Sequence, residues 1–339
     1  MEPRSIGRAD LKIAPLMLGG NVFGWSADEQ TSFAILDAFL DAGFNAIDTA
    51  DMYSLWVPGH VGGESETVIG NWLQSRGGRD RIVLATKVGS RRPEPGKRGF
   101  GRQGWARDLS AVHIERAVED SLVRLRTDYI DLYQSHLDDP DTPLAETLEA
   151  YERLIKAGKV RVIGASNHEA ERLADALETS REAGLPRYET LQPCYNLRDR
   201  ASFEGPLQEL CIAQGLSVLC YSALARGFLT GKYRTAGELA GSQWSESVST
   251  YADPRGITIL QILENVAEAT GGTMAQVALA WLLAQPAVAA PIVAVNNVQH
   301  LSEIVGAIDL RLEPGQLDAL TAASERDVNG SRPLGSLHD

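Results

Sequence analysis

Asp48, Tyr53, Lys87 and His136 bring a carboxylate, a phenol, an amine and an imidazole to the ends of short apolar runs, or just beyond them. NAIDT leads through Ala50, Asp51 and Met52 to Tyr53, IVLATK stops at Lys87, and YIDLYQSH stops at His136. Together these groups suit proton chemistry. A lysine closing an apolar run is costly unless a carboxylate answers its charge, and Asp48 closes the neighbouring run, so a shared ion pair is expected. A phenol ionises at about pH 10 in water, and an adjacent ammonium is what would let Tyr53 exchange a proton near neutrality. On this reading Lys87 tunes Tyr53, and His136 donates a hydrogen bond to a substrate carbonyl. Singly, each residue reads better as a buried ion-pair partner, a core tyrosine or a strand-end histidine. Their convergence carries the catalytic reading.

Eight apolar runs would position them: residues 16–20, 45–49, 82–87, 129–136, 160–166, 190–195, 216–222 and 291–295. Amphipathic stretches lie between, at 28–42, 64–75, 114–125, 143–157, 169–183, 205–214 and 257–270. Gly43, Gly77, Gly158, Gly184, Gly215 and Gly271 fall where these helices should end. Strands alternating with helices imply parallel β/α units. An open doubly wound sheet would place a glycine fingerprint after its first strand, and none stands there. The G-x-G-x-x-G match, Gly99 to Gly104, sits in a proline- and arginine-rich loop without a preceding strand. The expected fold is therefore α/β, a (β/α)8 TIM barrel forming one domain over residues 1–339. Residues 4–14 form an N-terminal β-hairpin that plugs its floor. Long loops at 53–63, 88–110 and 223–255 cover its C-terminal face, the rim on which such barrels gather catalytic groups.

The 339 residues suit one barrel with extended loops. A net charge of −13 disfavours nucleic-acid and anionic-membrane partners, which leaves a small molecule as the expected one. Cys194, Cys211 and Cys220 are odd in number, lack C-x-x-C spacing and follow no signal peptide, so they read as reduced thiols in a cytoplasmic protein. The apolar stretch from Met274 to Val295 is interrupted by Gln276, Gln285, Pro286 and Pro291, and it reads as a helix and a strand rather than a membrane span. Asn329-Gly330-Ser331 matches a glycosylation sequon, without consequence lacking a secretory signal. H-E-x-x-H and clustered Cys/His ligands are missing, so no metal is expected.

The motifs IDTADMY, GGESETVIGNWL, ATK, SLVRLRTDYIDLYQSH, VIGASNH, LQPCYN and YSALARGFLTGKY extend along nearly the whole chain. In this setting the sequence resembles the aldo-keto reductase family. The resemblance implies NAD(P)H-dependent reduction of an aldehyde or ketone, with Tyr53 as proton donor, Lys87 and Asp48 tuning it, and His136 orienting the carbonyl. It also implies that Ser166, Asn167 and Gln192 hold the nicotinamide carboxamide and that Tyr221 stacks on the ring. The segment from Leu224 to Tyr233, with Arg226 and Lys232, would clamp the pyrophosphate. These side chains supply the donors, acceptors and aromatic face such a ligand needs.

The chain departs from the family after the last strand, where AVNNVQHLSEI offers Asn296, Asn297 and His300 in place of the arginine or lysine commonly set against the 2′-phosphate of NADP. Ile304 replaces an amide often used on the adenine. A dianion without a cation loses charge-assisted bonds, so NADP(H) with NAD(H) also accepted is expected. Trp25, Trp56 and Trp105 are expected to line a pocket for an apolar, fairly bulky carbonyl compound, with Trp244 and Tyr251 nearby. Arg91, Arg92, Lys97, Arg98, Arg102 and Arg107 make the third loop basic, in the manner of a solvated lid. Two other readings remain: a Schiff-base lyase or aldolase using Lys87 as nucleophile, and a cofactor-binding regulatory subunit with negligible turnover.

Overall fold

Short strands that are apolar at successive positions must bury both faces, and here both faces are covered. The computed structural model describes residues 1–91, 106–233 and 248–325. Trp105, Trp244, the run Gly99–Gly104, Arg92, Lys97, Arg98, Arg102 and the sequon at Asn329 lie outside the described residues.

β1 (Arg4–Ser5) and β2 (Lys12–Ile13) pair antiparallel as the expected hairpin. The chain then enters β3 (Met17–Gly19), β4 (Ala46–Asp48) and β5 (Val83–Val88), and a short antiparallel pair, β6 (Ser90–Arg91) and β7 (Ala106–Arg107), follows. β8 (Ile130–Ser135), β9 (Val160–Ser166), β10 (Tyr188–Gln192), β11 (Ser217–Cys220) and β12 (Val288–Val293) complete the set. β3, β4, β5, β8, β9, β10, β11 and β12 form a closed parallel barrel, with β12 paired back to β3. Helices flank it, giving the (β/α)8 architecture.

Helix starts follow capping chemistry more closely than the apolar pattern. The third helix begins at Ala111 rather than at Ile114, because the Ser110 side chain accepts from the His113 N–H. The helix expected from Ile257 begins at Pro254 for the same reason, with Asp253 capping the Gly256 N–H. Two helices that the apolar pattern did not mark, Val298–Val305 and Pro314–Ala323, close the described chain. The last strand starts three residues before the expected 291. Pairing on both sides, Val218 with Val288 and Met17 with Ile292, holds the segment extended through Pro291, whose missing N–H costs a single ladder bond. The long apolar stretch thus divides into the helix Met274–Leu283 and β12, and among the described residues no helix is long and apolar enough to cross a membrane.

The barrel has an inner and an outer apolar layer. Met17, Ala46, Val83, Ala85, Leu132, Val162, Leu219 and Ile292 pack inside, and Ile6 and Ile13 of the hairpin join them from below. Leu18, Ile47, Leu84, Tyr133, Ile163, Leu191 and Val218 face the helices. The hairpin is tied to the barrel floor by Arg4, which donates to the carbonyls of Val288 (2.6 Å) and Leu283 (3.1 Å). Cys194, Cys211 and Cys220 are buried and form no disulfide with one another.

One close approach in the wall fixes a glycine. A Cβ at Gly164 would stand 2.1 Å from Thr190 Oγ1 and 3.1 Å from Gln134 Cγ, so the polar upper interior exists only because β9 has no side chain there. Gly164→Ala is expected to lower stability by about 1–3 kcal/mol through overpacking. Urea denaturation checks this, and an unchanged midpoint would show that the wall relaxes freely.

Candidate active site

The inward parity that builds the core continues upward into polar residues. Ala46 leads to Asp48; Val83 and Ala85 lead to Lys87; Leu132 leads to Gln134 and, past the strand end, His136. Val162 leads by the same alternation to Ser166, Thr190 to Gln192, and Leu219 to Tyr221. Tyr53 arrives from the loop after β4. The expected residues therefore converge at the C-terminal mouth.

Lys87 is fully buried, and each of its three N–H bonds has an acceptor: Asp48 Oδ2 at 2.7 Å, the Thr49 carbonyl at 2.8 Å and the Tyr53 hydroxyl at 2.8 Å. Tyr53 in turn donates to Asp48 Oδ2 at 3.3 Å. Burial draws the Lys87 pKa down while the carboxylate at 2.7 Å opposes the fall. A three-acceptor setting fits the ammonium form. The phenol departs from the simplest expectation: burial, then the Asp48 charge, hold the Tyr53 pKa well above its ordinary value, so the group rests as the acid. Burial and the Lys87 charge depress the His136 pKa well below the usual imidazole range, leaving a neutral ring. His136 stands edge-on to Tyr53, ring centres 6.0 Å apart, and its Nδ1 has no hydrogen-bond partner among the described residues.

A second group of side chains is linked by hydrogen bonds beside the first. Ser166 Oγ donates to the Gln192 carbonyl at 2.8 Å, Asn167 Nδ2 donates to the His136 carbonyl at 3.0 Å, and the Tyr221 hydroxyl donates to Asn167 Oδ1 at 2.9 Å. Asn167 holds a left-handed φ of 56°, which aims its side chain across the mouth rather than along the chain. Amides and a hydroxyl next to an aromatic ring fit a planar heterocycle carrying a carboxamide. After Leu224, the turn Ala225–Thr230 has left-handed backbone at Arg226 (φ 56°) and Gly227 (φ 91°), and the Lys232 ammonium lies 4.8 Å from the Tyr233 ring centre.

Beyond β12, Asn296 accepts from Ser26 at 3.1 Å. Asn297 caps its own helix by accepting the His300 N–H at 2.8 Å, and its Nδ2 faces His300 Nδ1 at 3.3 Å. Asn297 and His300 are thus engaged mainly with each other. Ile304 is buried. Trp25 meets Trp56 edge-on at 5.8 Å, and Trp56 meets Tyr53 at 6.0 Å, so an aromatic row leads up to the phenol. Tyr251 is fully buried against Phe228 of the turn Ala225–Thr230, ring centres 5.7 Å apart, and donates to Asp199 at 2.8 Å.

Two supporting groups escaped the reading of the sequence. Gln134 is fully buried and donates to Asp48 Oδ1 at 3.4 Å, and its position two residues beyond inward-facing Leu132 was the available signal. Outside the wall, Glu66 is fully buried, accepting from Thr86 Oγ1 at 2.6 Å and from Arg124 Nε at 2.7 Å. Its charge is legible only once the helix Glu64–Arg76 is docked against β5 and the helix Ala111–Leu125. Asp51 lies near this pair with Oδ1 unpartnered among the described residues, and burial followed by the Glu66 charge raises its pKa well above the carboxylate range.

Comparison with known proteins agrees with this arrangement. The family model described as Aldo/keto reductase family matches residues 15–325. The chain is 35% identical to the uncharacterized oxidoreductase YrpG of Bacillus subtilis, covering 92% of this chain and 93% of the relative. It is 32% identical to protein tas of Escherichia coli, covering 96% and 98%. It is also 32% identical to norsolorinic acid reductase stcV of Emericella nidulans, covering 91% and 78%. The barrel, the converging polar groups and the length of the match agree: this chain belongs to the Aldo/keto reductase family and is an oxidoreductase.

Proposed function

We propose that this oxidoreductase reduces an aldehyde or ketone to an alcohol, with Tyr53 as the general acid and NADPH or NADH as hydride source. The observation that supports this best is the Lys87 ammonium, whose three N–H bonds join Asp48, Thr49 and Tyr53 within 2.8 Å. Reduced nicotinamide supplies a hydride when bound. Ser166, Asn167 and Gln192 would hold its carboxamide, Tyr221 would lie against the ring, and the turn containing Arg226, with Lys232 after it, would face the pyrophosphate.

The protein's own part is proton delivery and orientation. Tyr53, protonated through neutral pH, hands its proton to the oxygen of the substrate, and the phenolate that develops is stabilised by the Lys87 ammonium already in hydrogen-bond contact. Asp48 keeps Lys87 charged and fixed, which removes the need for reorganisation during the step. His136, neutral and with a free ring nitrogen, can donate one N–H to the same oxygen and place it against Tyr53. The aromatic row from Trp25 through Trp56 favours a bulky apolar carbonyl compound. A relative named as a reductase is in keeping with the reductive direction.

The Schiff-base reading loses support because a lysine with every N–H committed, and a carboxylate holding its charge, presents no lone pair to a carbonyl. A purely regulatory role would leave nucleotide bound and turnover negligible. A broad carbonyl screen followed by nicotinamide absorbance separates it from the enzyme.

Tyr53→Phe is expected to lower turnover by at least ~10²-fold while changing dinucleotide affinity little. Undiminished turnover of the variant would remove Tyr53 from the mechanism. The raised Tyr53 pKa and the lowered His136 pKa also set a pH dependence. Carbonyl reduction should stay level from about pH 6 to about pH 9, whereas oxidation of the product alcohol, which requires the phenolate, should rise throughout. A reduction rate that halves at each step across neutral pH would contradict this protonation scheme. Since Asn297 and His300 are mutually engaged and Asn296 holds Ser26, kcat/KM for NADPH should exceed that for NADH by less than ~100-fold. A larger ratio would mean that another cation, such as Lys232, meets the 2′-phosphate.

A further inference from the structure

We infer that Gln134 is a positioning residue that locks the amide of Gln192, so that Gln192 can offer only its carbonyl oxygen to a bound ligand. The inference rests on the proposed nicotinamide site and adds to it the hydrogen-bonding sense of one contact. It follows from the ion pair outward. Asp48 lies 2.7 Å from the Lys87 ammonium and is therefore a carboxylate, an acceptor on both oxygens. Its Oδ2 takes Lys87 and Tyr53. Its Oδ1 lies 2.9 Å from the end of Gln192 and 3.4 Å from the end of Gln134, so each glutamine must turn its NH2 group toward it.

Turning Gln134 this way puts its own carbonyl oxygen 3.3 Å from Gln192 Nε2. Gln192 Nε2 therefore donates one hydrogen to Asp48 and the other to Gln134. Both of its hydrogens are used inside the protein, and Oε1 is the polar atom of that side chain left over. Rotating the amide would set oxygen against the Asp48 carboxylate and against the Gln134 carbonyl at once, two repulsive contacts in a fully buried place. Gly164 is part of the device, since the space a Cβ would fill is taken by Thr190 Oγ1 and Gln134 Cγ. The site thus selects, at this point, a ligand with an N–H to give. A carboxamide has one, and the acetyl group of 3-acetylpyridine adenine dinucleotide keeps the carbonyl but has a methyl in place of the NH2.

Equilibrium binding of the oxidised carboxamide dinucleotide and of its 3-acetylpyridine analogue, followed by quenching of tryptophan fluorescence, tests the inference. The wild-type protein should prefer the carboxamide by about tenfold, the worth of one hydrogen bond to an otherwise unpaired buried acceptor. In Gln134→Met, which keeps the shape but removes one acceptor, Asp48 still orients Gln192, so the carboxamide preference should persist while one of the two Gln192 side-chain NH2 protons loses its protection from exchange. Equal affinities in the wild type, or two NH2 protons equally protected in the variant, would overturn the inference while leaving the proposed reaction standing. Failure of the wild type to bind either dinucleotide would instead overturn the nicotinamide reading and this inference with it. Should the variant not fold, hydrogen exchange of the Gln192 side-chain NH2 in the ligand-free wild type decides: both protons protected support the lock, and one freely exchanging proton refutes it.

Discussion

A positive charge with no access to water sets the terms for the rest of this molecule. The Lys87 ammonium is fully buried and survives there because it has one carboxylate, one backbone carbonyl and one phenol, each within 2.8 Å. Removing any of these would leave a charge or donor uncompensated in low dielectric, a cost of several kcal/mol for an ion. The carboxylate needs partners in turn, and two glutamine side chains from β8 and β10 supply them on its other oxygen. A single ion pair thus draws polar residues from four strands into the upper interior of the barrel, and the glycine at 164 is the vacancy that makes room for them.

The electrostatics of the site follow from the same constraint. Near an ammonium and a carboxylate, the two remaining titratable groups are pushed in opposite directions: the Tyr53 phenol up, by burial and then Asp48, and the His136 imidazole down, by burial and then Lys87. The outcome is a protonated phenol beside a neutral ring, an acid and a hydrogen-bond donor in fixed relation. The ammonium was expected chiefly to depress the phenol. In the folded protein desolvation and the Asp48 charge outweigh it at rest, and its stabilising effect falls on the phenolate, the form produced by the reaction.

Outside the wall a parallel arrangement holds the frame. Glu66 is fully buried and reaches Thr86, the residue before Lys87, while Arg124 answers its charge from the neighbouring helix. Successive residues of one strand therefore anchor to two different ionic groups, Thr86 outward and Lys87 inward. A shift of β5 along its neighbours would break both, which ties the register of that strand to the geometry of the site.

Much was legible in the residue order. The eight apolar runs, the amphipathic stretches and the helix-ending glycines gave the β/α alternation and hence the barrel, because burial of alternate residues and the left-handed turn of a glycine cap are local properties. The strand ends that carry Asp48, Lys87, His136, Ser166 and Gln192 followed from the same runs. What the residue order did not reveal depends on neighbours distant in the chain. The inward role of Gln134, the ion pair of Glu66 with Arg124 and the extension of β12 back to Val288 each require strands and helices 20 to 86 residues apart to be docked. Asn296, Asn297 and His300 were marked by the family resemblance, but only the folded chain shows that they are occupied with Ser26 and with one another. The sequence determined which faces are apolar and which groups are chemically able, since those are properties of single residues and their spacing. The tertiary structure decided which charge meets which partner, since a hydrogen bond depends on distances of a few ångströms that closing the barrel alone sets.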